Sequence, residues 1–183
     1  MEDKELVRLS QQGDKESFGL LVKKYETKVY SLAFQFTRNA AVSEDLAQEI
    51  FIKAYFGLPK FKGESEFGTW IYRIGVNHIK DFLRKKPKEL SLDIVPEDKS
   101  ARAEEQDVRA NEQRRAVVMA RLQDLPLKYR VILTLRDIEG LSYDEIAKTL
   151  RISAGTVDSR LFRARQSLRK RVNAFLDKER RTS

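Results

Sequence analysis

Apolar residues recur along this chain at every third or fourth position and almost nowhere at every second. Between Lys15 and Arg38 they fall at Phe18, Leu21, Val22, Tyr25, Val29, Leu32 and Phe36, which predicts one long amphipathic helix. Val42, Leu46, Ile50, Ala54 and Leu58 then repeat every fourth residue. Ser43 is a candidate N-cap for that second helix, and Gly57-Leu58-Pro59 its stop. Gly63 and Gly68 mark a loop, after which a helix is predicted from about Thr69. Further helices are predicted near 109–124, 127–138, 143–150 and 154–177. Four prolines and eight glycines among 183 residues interrupt little of this. The expected fold class is all-α, built as two small helical domains.

Charge divides the chain where the apolar period lapses. Lys+Arg number 36 against 28 Asp+Glu, a net charge of +8. Residues 1–88 hold 16 basic and 12 acidic side chains, 89–107 hold 2 and 7, and 108–183 hold 18 and 9. Two basic modules, 1–88 and 108–183, are therefore expected, joined by a flexible acidic linker over 89–107. The stretch from Lys86 to Asp107 contains Pro87 and Pro96 and too little apolar surface to offset the entropy of ordering it.

Composition removes several kinds of chemistry. With no cysteine there is no disulfide, thiolate metal site or Cys nucleophile, and one histidine cannot build a multi-His metal cage. No catalytic residue, metal or cofactor is assigned. No apolar run approaches the roughly 20 residues of a membrane span, and the first 20 residues lack a basic-then-apolar signal pattern. A soluble, cytoplasmic chain without membrane insertion is expected.

The sharpest local pattern is Leu141–Lys170. Ser142-Tyr143-Asp144-Glu145 reads as a capping box, with Leu141 and Ile146 placed as its hydrophobic staple. A three-residue turn, Arg151-Ile152-Ser153, leads to a second helix that Ser153 can cap. Small Ala147 permits close approach, and Ile146, Leu150, Ile152 and Val157 would fill the angle between the two helices. This is a helix-turn-helix pattern, whose second helix enters the DNA major groove. Arg151 takes a turn position often held by glycine, so it must accept a positive φ. On the second helix Val157, Leu161, Ala164, Leu168 and Val172 line one face, while Ser159, Phe162, Arg163 and Gln166 fall away from it. From Arg160 to the end there are nine basic and two acidic residues, a charge suited to phosphate. Arg163 suits a guanine edge and Phe162 a thymine methyl.

A second stretch, Lys60–Lys86, interleaves Phe61, Phe67, Trp70, Tyr72 and Phe82 with cations. Arg73, Asn77, Lys80 and Arg84 share one helical face, opposite Ile71, Ile74 and Phe82. A basic face beside an aromatic loop suits unpaired bases, with Asn77 able to donate to and accept from a base edge. Trp70 is read as a core aromatic. His78 is assigned no role.

The runs DLAQEIFIKAY (45–55), GTWIYRIGVNHIKDFLRKK (68–86) and GLSYDEIAKTLRISAGTVDSRLFRARQSLRK (140–170) together resemble the extracytoplasmic-function sigma factors of bacterial RNA polymerase, most closely the sigma-E type. The resemblance spans nearly the whole chain in the family's order. It implies that 1–88 is sigma domain two and 108–183 sigma domain four, together a non-catalytic promoter-specificity subunit. It implies that Asp45, Gln48, Glu49 and Lys53 meet the β′ clamp of core RNA polymerase, with the β flap as a second contact. It places Phe61, Lys62 and Asn77 around a flipped non-template base of the minus-ten element of promoter DNA. Arg73, Lys80 and Arg84 would guide the strand being opened. Asp158, Ser159, Phe162 and Arg163 would face the minus-thirty-five element, although Lys or Arg is common in the family where Asp158 stands. The acidic linker would follow the RNA exit path, and an anti-sigma factor is an implied partner.

Two other readings compete. A stand-alone regulator would use the same helix-turn-helix but leaves Asp45–Tyr55 and the aromatic loop unexplained. A nuclease would need Glu64, Glu66 and Asp81 as metal ligands, and their spacing does not suit that.

Overall fold

A computed structural model describes residues 1–85 and 105–182 of the chain. Among the described residues there are eight α-helices and no strand. They fall into two compact units, one of 1–85 with 144–152 and the other of 105–143 with 153–182.

The first unit contains α1 (Asp3–Gln11), α2 (Lys15–Thr37), α3 (Ala40–Gly57), a 3₁₀ turn (Leu58–Lys60) and α4 (Phe67–Lys85). Asp14 caps α2 by accepting from the Glu16 amide at 3.0 Å and from Ser17 Oγ at 2.6 Å. Arg38, at φ 51°, ends that helix in the left-handed region. The predicted apolar stripes meet in the core, where Leu21, Leu32, Ile50, Leu58, Ile71 and Ile79 are fully buried. Each such side chain contributes about 1.5–3 kcal/mol of transfer free energy. Gly75 lets α4 lie close to its neighbours, since a Cβ there would stand 3.0 Å from Leu32 Cδ2 and 3.5 Å from Ile50 Cδ1.

In the first unit two helix starts and one whole helix differ from expectation. Asn39, not Ser43, caps α3, its Oδ1 accepting from the Val42 amide at 3.0 Å. Ser43 lies inside the helix, fully buried, donating to the Asn39 carbonyl at 2.6 Å and 2.6 Å from Thr37 Oγ1. A serine can occupy a helix interior when its hydroxyl bonds back to the carbonyl four residues earlier. Helix α4 starts at Phe67, two residues before Thr69, because Phe67 is itself a buried core residue. Helix α1 was not anticipated by the apolar period, for only Leu6 and Val7 of its nine residues are buried.

The second unit contains α5 (Glu105–Gln123), α6 (Leu127–Leu133), a π-helical turn (Thr134–Ile138) and α8 (Ala154–Thr182); α7 (Tyr143–Leu150) is grouped with the first. Val131, Ile132, Leu133, Leu135, Val157, Leu161 and Ala164 are buried. Arg165 ties α8 to the π turn through Asp137 at 2.6 Å. Helix α5 begins four residues before the predicted 109, in a run of Glu, Arg, Ala and Gln that favours helix without an apolar stripe. Of the flexible linker expected over 89–107, residues 89–104 lie outside the described residues, while 105–107 form the first turn of α5.

Candidate nucleic-acid interface

Helix α3 buries Leu46, Ala47, Ile50 and Ala54 and turns its other side outward. Asp45, Gln48, Glu49 and Lys53 are all exposed there, at the three- and four-residue spacings of one face. Large apolar side chains stand among them: Ile52 is 56% exposed and Phe56 75%. Tyr55, 41% exposed, rests edge-on against Phe18 with ring centres 5.1 Å apart. Sequence reasoning missed these three. The signal was present, because the four-residue stripe from Val42 to Leu58 leaves Ile52 and Phe56 on neither its line nor its flank.

Past α3, the 3₁₀ turn delivers Phe61 and Lys62. Phe61 is half-buried, its ring centre 4.8 Å from Trp70 and 6.5 Å from Phe67, while Lys62 is exposed. Trp70 is buried in the core beside Phe67 and Ile71, as its core reading requires, and Tyr72 is buried as well. Gly63 follows at φ 70°, a conformation a side chain would strain. A cavity of about 210 Å³ opens between this loop and α1.

On α4, Asn77 and Arg84 are exposed, and Arg73 and Lys80 are half-buried. The four share the predicted face, although Arg84 is paired with Asp81 at 3.1 Å. Ile71 is buried, whereas Ile74 and Phe82 are only half-buried. Thus α4 carries cations and one amide outward over an apolar inner side. His78 reaches Glu49 on α3 with Nε2 2.5 Å from a carboxylate oxygen.

Helix α7 begins one residue after Ser142 and buries Ile146 and Thr149. Arg151 has φ 54°, so the turn adopts the left-handed conformation expected despite the side chain. The Ile152 amide donates to the Ala147 carbonyl at 3.0 Å, closing a Schellman-type end. Helix α8 is capped by Ser153, whose Oγ accepts from the Thr156 amide at 3.2 Å. Asp158, Ser159, Phe162 and Arg163 are all exposed on one side of α8, opposite buried Val157, Leu161 and Ala164. Phe162 is 68% exposed, which no core role explains.

Among the described residues no group of three or more His, Asp or Glu side chains is placed to hold a metal ion. No described helix is long and apolar enough to cross a membrane.

Comparison with known proteins matches two family models, Sigma-70 region 2 over residues 21–89 and Sigma-70 region 4 over 115–168. The RNA polymerase sigma-H factor of Pseudomonas aeruginosa is 40% identical, covering 96% of this chain and 96% of its own length. The ECF RNA polymerase sigma-E factor of Escherichia coli K12 is 38% identical, covering 95% and 96%. Among solved structures, CnrH in complex with the cytosolic domain of CnrY has a TM-score of 0.71 at 27% identity, covering 96% of this chain and 97% of that one. The sigma factor RpoE of Bartonella quintana, solved with the anti-sigma factor NepR, shares the fold at a TM-score of 0.66 and 22% identity, covering 86% and 98%.

Proposed function

The chain belongs to the extracytoplasmic-function sigma factors of bacterial RNA polymerase, non-catalytic subunits that direct the core enzyme to promoters, and from that premise we propose how its surfaces divide the work. Residues 1–88 dock on core polymerase and open the minus-ten element. Residues 108–183 read the minus-thirty-five element, and 89–107 connect them along the RNA exit path.

Docking falls to the exposed side of α3, where Asp45, Gln48, Glu49 and Lys53 meet the β′ clamp; the second module adds the β flap. The observation that carries this reading is the exposure of Ile52 and Phe56 among those polar residues. Exposed large apolar side chains rimmed by charge suit a protein partner.

Opening is driven by preference for the unpaired strand, since the chain supplies no chemistry. Phe61, Lys62 and Asn77 hold a flipped non-template base, and Arg73, Lys80 and Arg84 follow the backbone. Asp158, Ser159, Phe162 and Arg163 face the minus-thirty-five bases. Asp158 among them adds no attraction for phosphate, so base choice at that end of α8 rests on the other three contacts.

The chain works in the cytoplasm, where core polymerase is. A regulatory anti-sigma partner is part of this reading, supported by the second protein held by the CnrH relative. The test is run-off transcription from a library of promoter fragments, using core polymerase with and without the full chain. Selective transcripts that need the chain are expected, and transcripts indifferent to it would defeat the reading.

A further inference from the structure

We propose that Gln11 is a positioning residue for the base-holding loop, so that α1 is a working wall of the minus-ten site. The inference rests on the reading that this loop and α4 hold an unpaired base. Helix α1 precedes the 21–89 family match, and the sequence patterns singled out nothing in it.

Gln11 is the last residue of α1. Its Nε2 donates to the Leu58 carbonyl at 2.9 Å and to the Phe61 carbonyl at 2.8 Å. Those carbonyls bracket the 3₁₀ turn, whose own closing bond runs from the Phe61 amide to Leu58 at 3.0 Å. The side-chain amide supplies two N–H donors on one nitrogen, enough for both ends of the turn. Leu58 is sunk in the core, so the tie fixes where the chain leaves it and where the Phe61 ring sits. Immediately beyond, support ends: Lys62 and Gly63 are exposed, and nothing lies within 4 Å of a Cβ built on Gly63.

The other end of α1 is held as well. Asp3 accepts hydrogen bonds from Lys24 and Tyr25, and the Tyr25 ring packs edge-on to Phe67 at 5.3 Å. The helix is therefore pinned to α2 at its start and to the loop at its end. The 210 Å³ cavity lies between, with Lys4, Arg8 and Gln11 on one wall and Phe61, Lys62 and Ser65 on the other. A loop held in one conformation before the strand arrives binds more tightly than one that must be ordered on binding. Cutting the tie lowers the fraction of chains whose loop is competent, and apparent affinity falls by that fraction.

The experiment uses holoenzyme assembled from core polymerase and the full chain. Two probes are compared: the single non-template strand of a promoter selected by the run-off assay, and the duplex minus-thirty-five segment of the same promoter. Gln11→Glu keeps the shape but replaces the donating NH₂ with an oxygen that repels both carbonyls. It is expected to weaken single-strand capture about tenfold, the order that two lost hydrogen bonds carry, with duplex binding unchanged within about twofold. Gln11→Lys, which restores N–H donors, is expected to recover most of the loss. Capture by Gln11→Glu at the wild-type level overturns the proposal. So does equal loss of both probes, or a Gln11→Lys variant no better than Gln11→Glu. Asn77→Ala in the same assay tests the underlying reading: if it captures the strand like wild type, base holding by this site fails and the proposal falls with it. If Asn77→Ala loses capture while Gln11→Glu does not, only the role of Gln11 is lost.

Discussion

His78 on α4 donates from Nε2 to the Glu49 carboxylate on α3, at 2.5 Å. The histidine is 14% exposed at its side chain and the glutamate 56%. One contact thus links the helix proposed to carry the opened strand with the helix proposed to dock on polymerase.

Glu49→Arg removes an exposed carboxylate from the proposed docking face and sets a cation beside His78. Because Glu49 is more than half exposed, losing the pair costs the fold under about 1 kcal/mol. Titration of labelled core polymerase is expected to show association weakened at least tenfold, or about 1.4 kcal/mol, with the melting temperature nearly unchanged. Association at the wild-type level would move the docking face off this side of α3.

Asn77→Ala is expected to impair promoter opening more than promoter docking. Permanganate reactivity of thymines in the minus-ten element reports the first, and a gel shift on duplex promoter the second. The side chain is exposed, so its loss leaves no cavity. Equal loss of both signals would remove Asn77 from the base site.

Arg163→Ala is expected to weaken duplex minus-thirty-five binding by about 1–3 kcal/mol and to relax the base preference at one position. Competition among fragments with single substitutions measures both. An unchanged preference would take Arg163 out of base reading and leave it a phosphate contact at most.

Acid and alkali should each loosen the first unit through Asp3 and Tyr25. Burial alone would raise the Asp3 carboxyl, but hydrogen bonds from Lys24 and Tyr25 outweigh it and hold the group below its usual range. Burial first, and then the bond to Asp3, push the Tyr25 phenol up. The Asp3 contribution is present above its unfolded pKa, about 3.9, and is lost as pH falls through the lower folded value. The Tyr25 contribution is full below its unfolded pKa, about 10, and is lost as pH rises beyond it. Urea midpoints of Asp3→Asn should show a shallower acid limb than wild type. The alkaline limb should be only partly reduced, because the burial of Tyr25 remains. A gap between variant and wild type that stays constant through the acid range would contradict this.

The long helices were legible because each must bury one stripe: Phe18 to Phe36 on α2 and Leu46 to Leu58 from α3 onward are both period and core. The left-handed Arg151 was legible too, since a three-residue turn between two capped helices leaves few other backbones. What escaped depends on partners distant in sequence. Helix α1 is held by Asp3 to Tyr25 and by Gln11 to Leu58 and Phe61, separations of 22, 47 and 50 residues that no local period records. Ser43 looked like a cap because serine favours caps, yet the Asn39 carbonyl and Thr37 satisfy it inside the helix. The exposed Ile52 and Phe56 illustrate the converse, apolar residues that no stripe of the fold consumes. Of the candidate site, the faces of α4 and α8 were legible from spacing, whereas the cavity wall supplied by α1 was not.

Co-elution with bacterial core enzyme on a sizing column tests most directly whether this chain works as a dissociable subunit of RNA polymerase. A stable complex of about one chain per core is expected at moderate salt, with a smaller co-eluting fraction for Glu49→Arg. A well-folded chain that elutes apart from core polymerase under those conditions would contradict it.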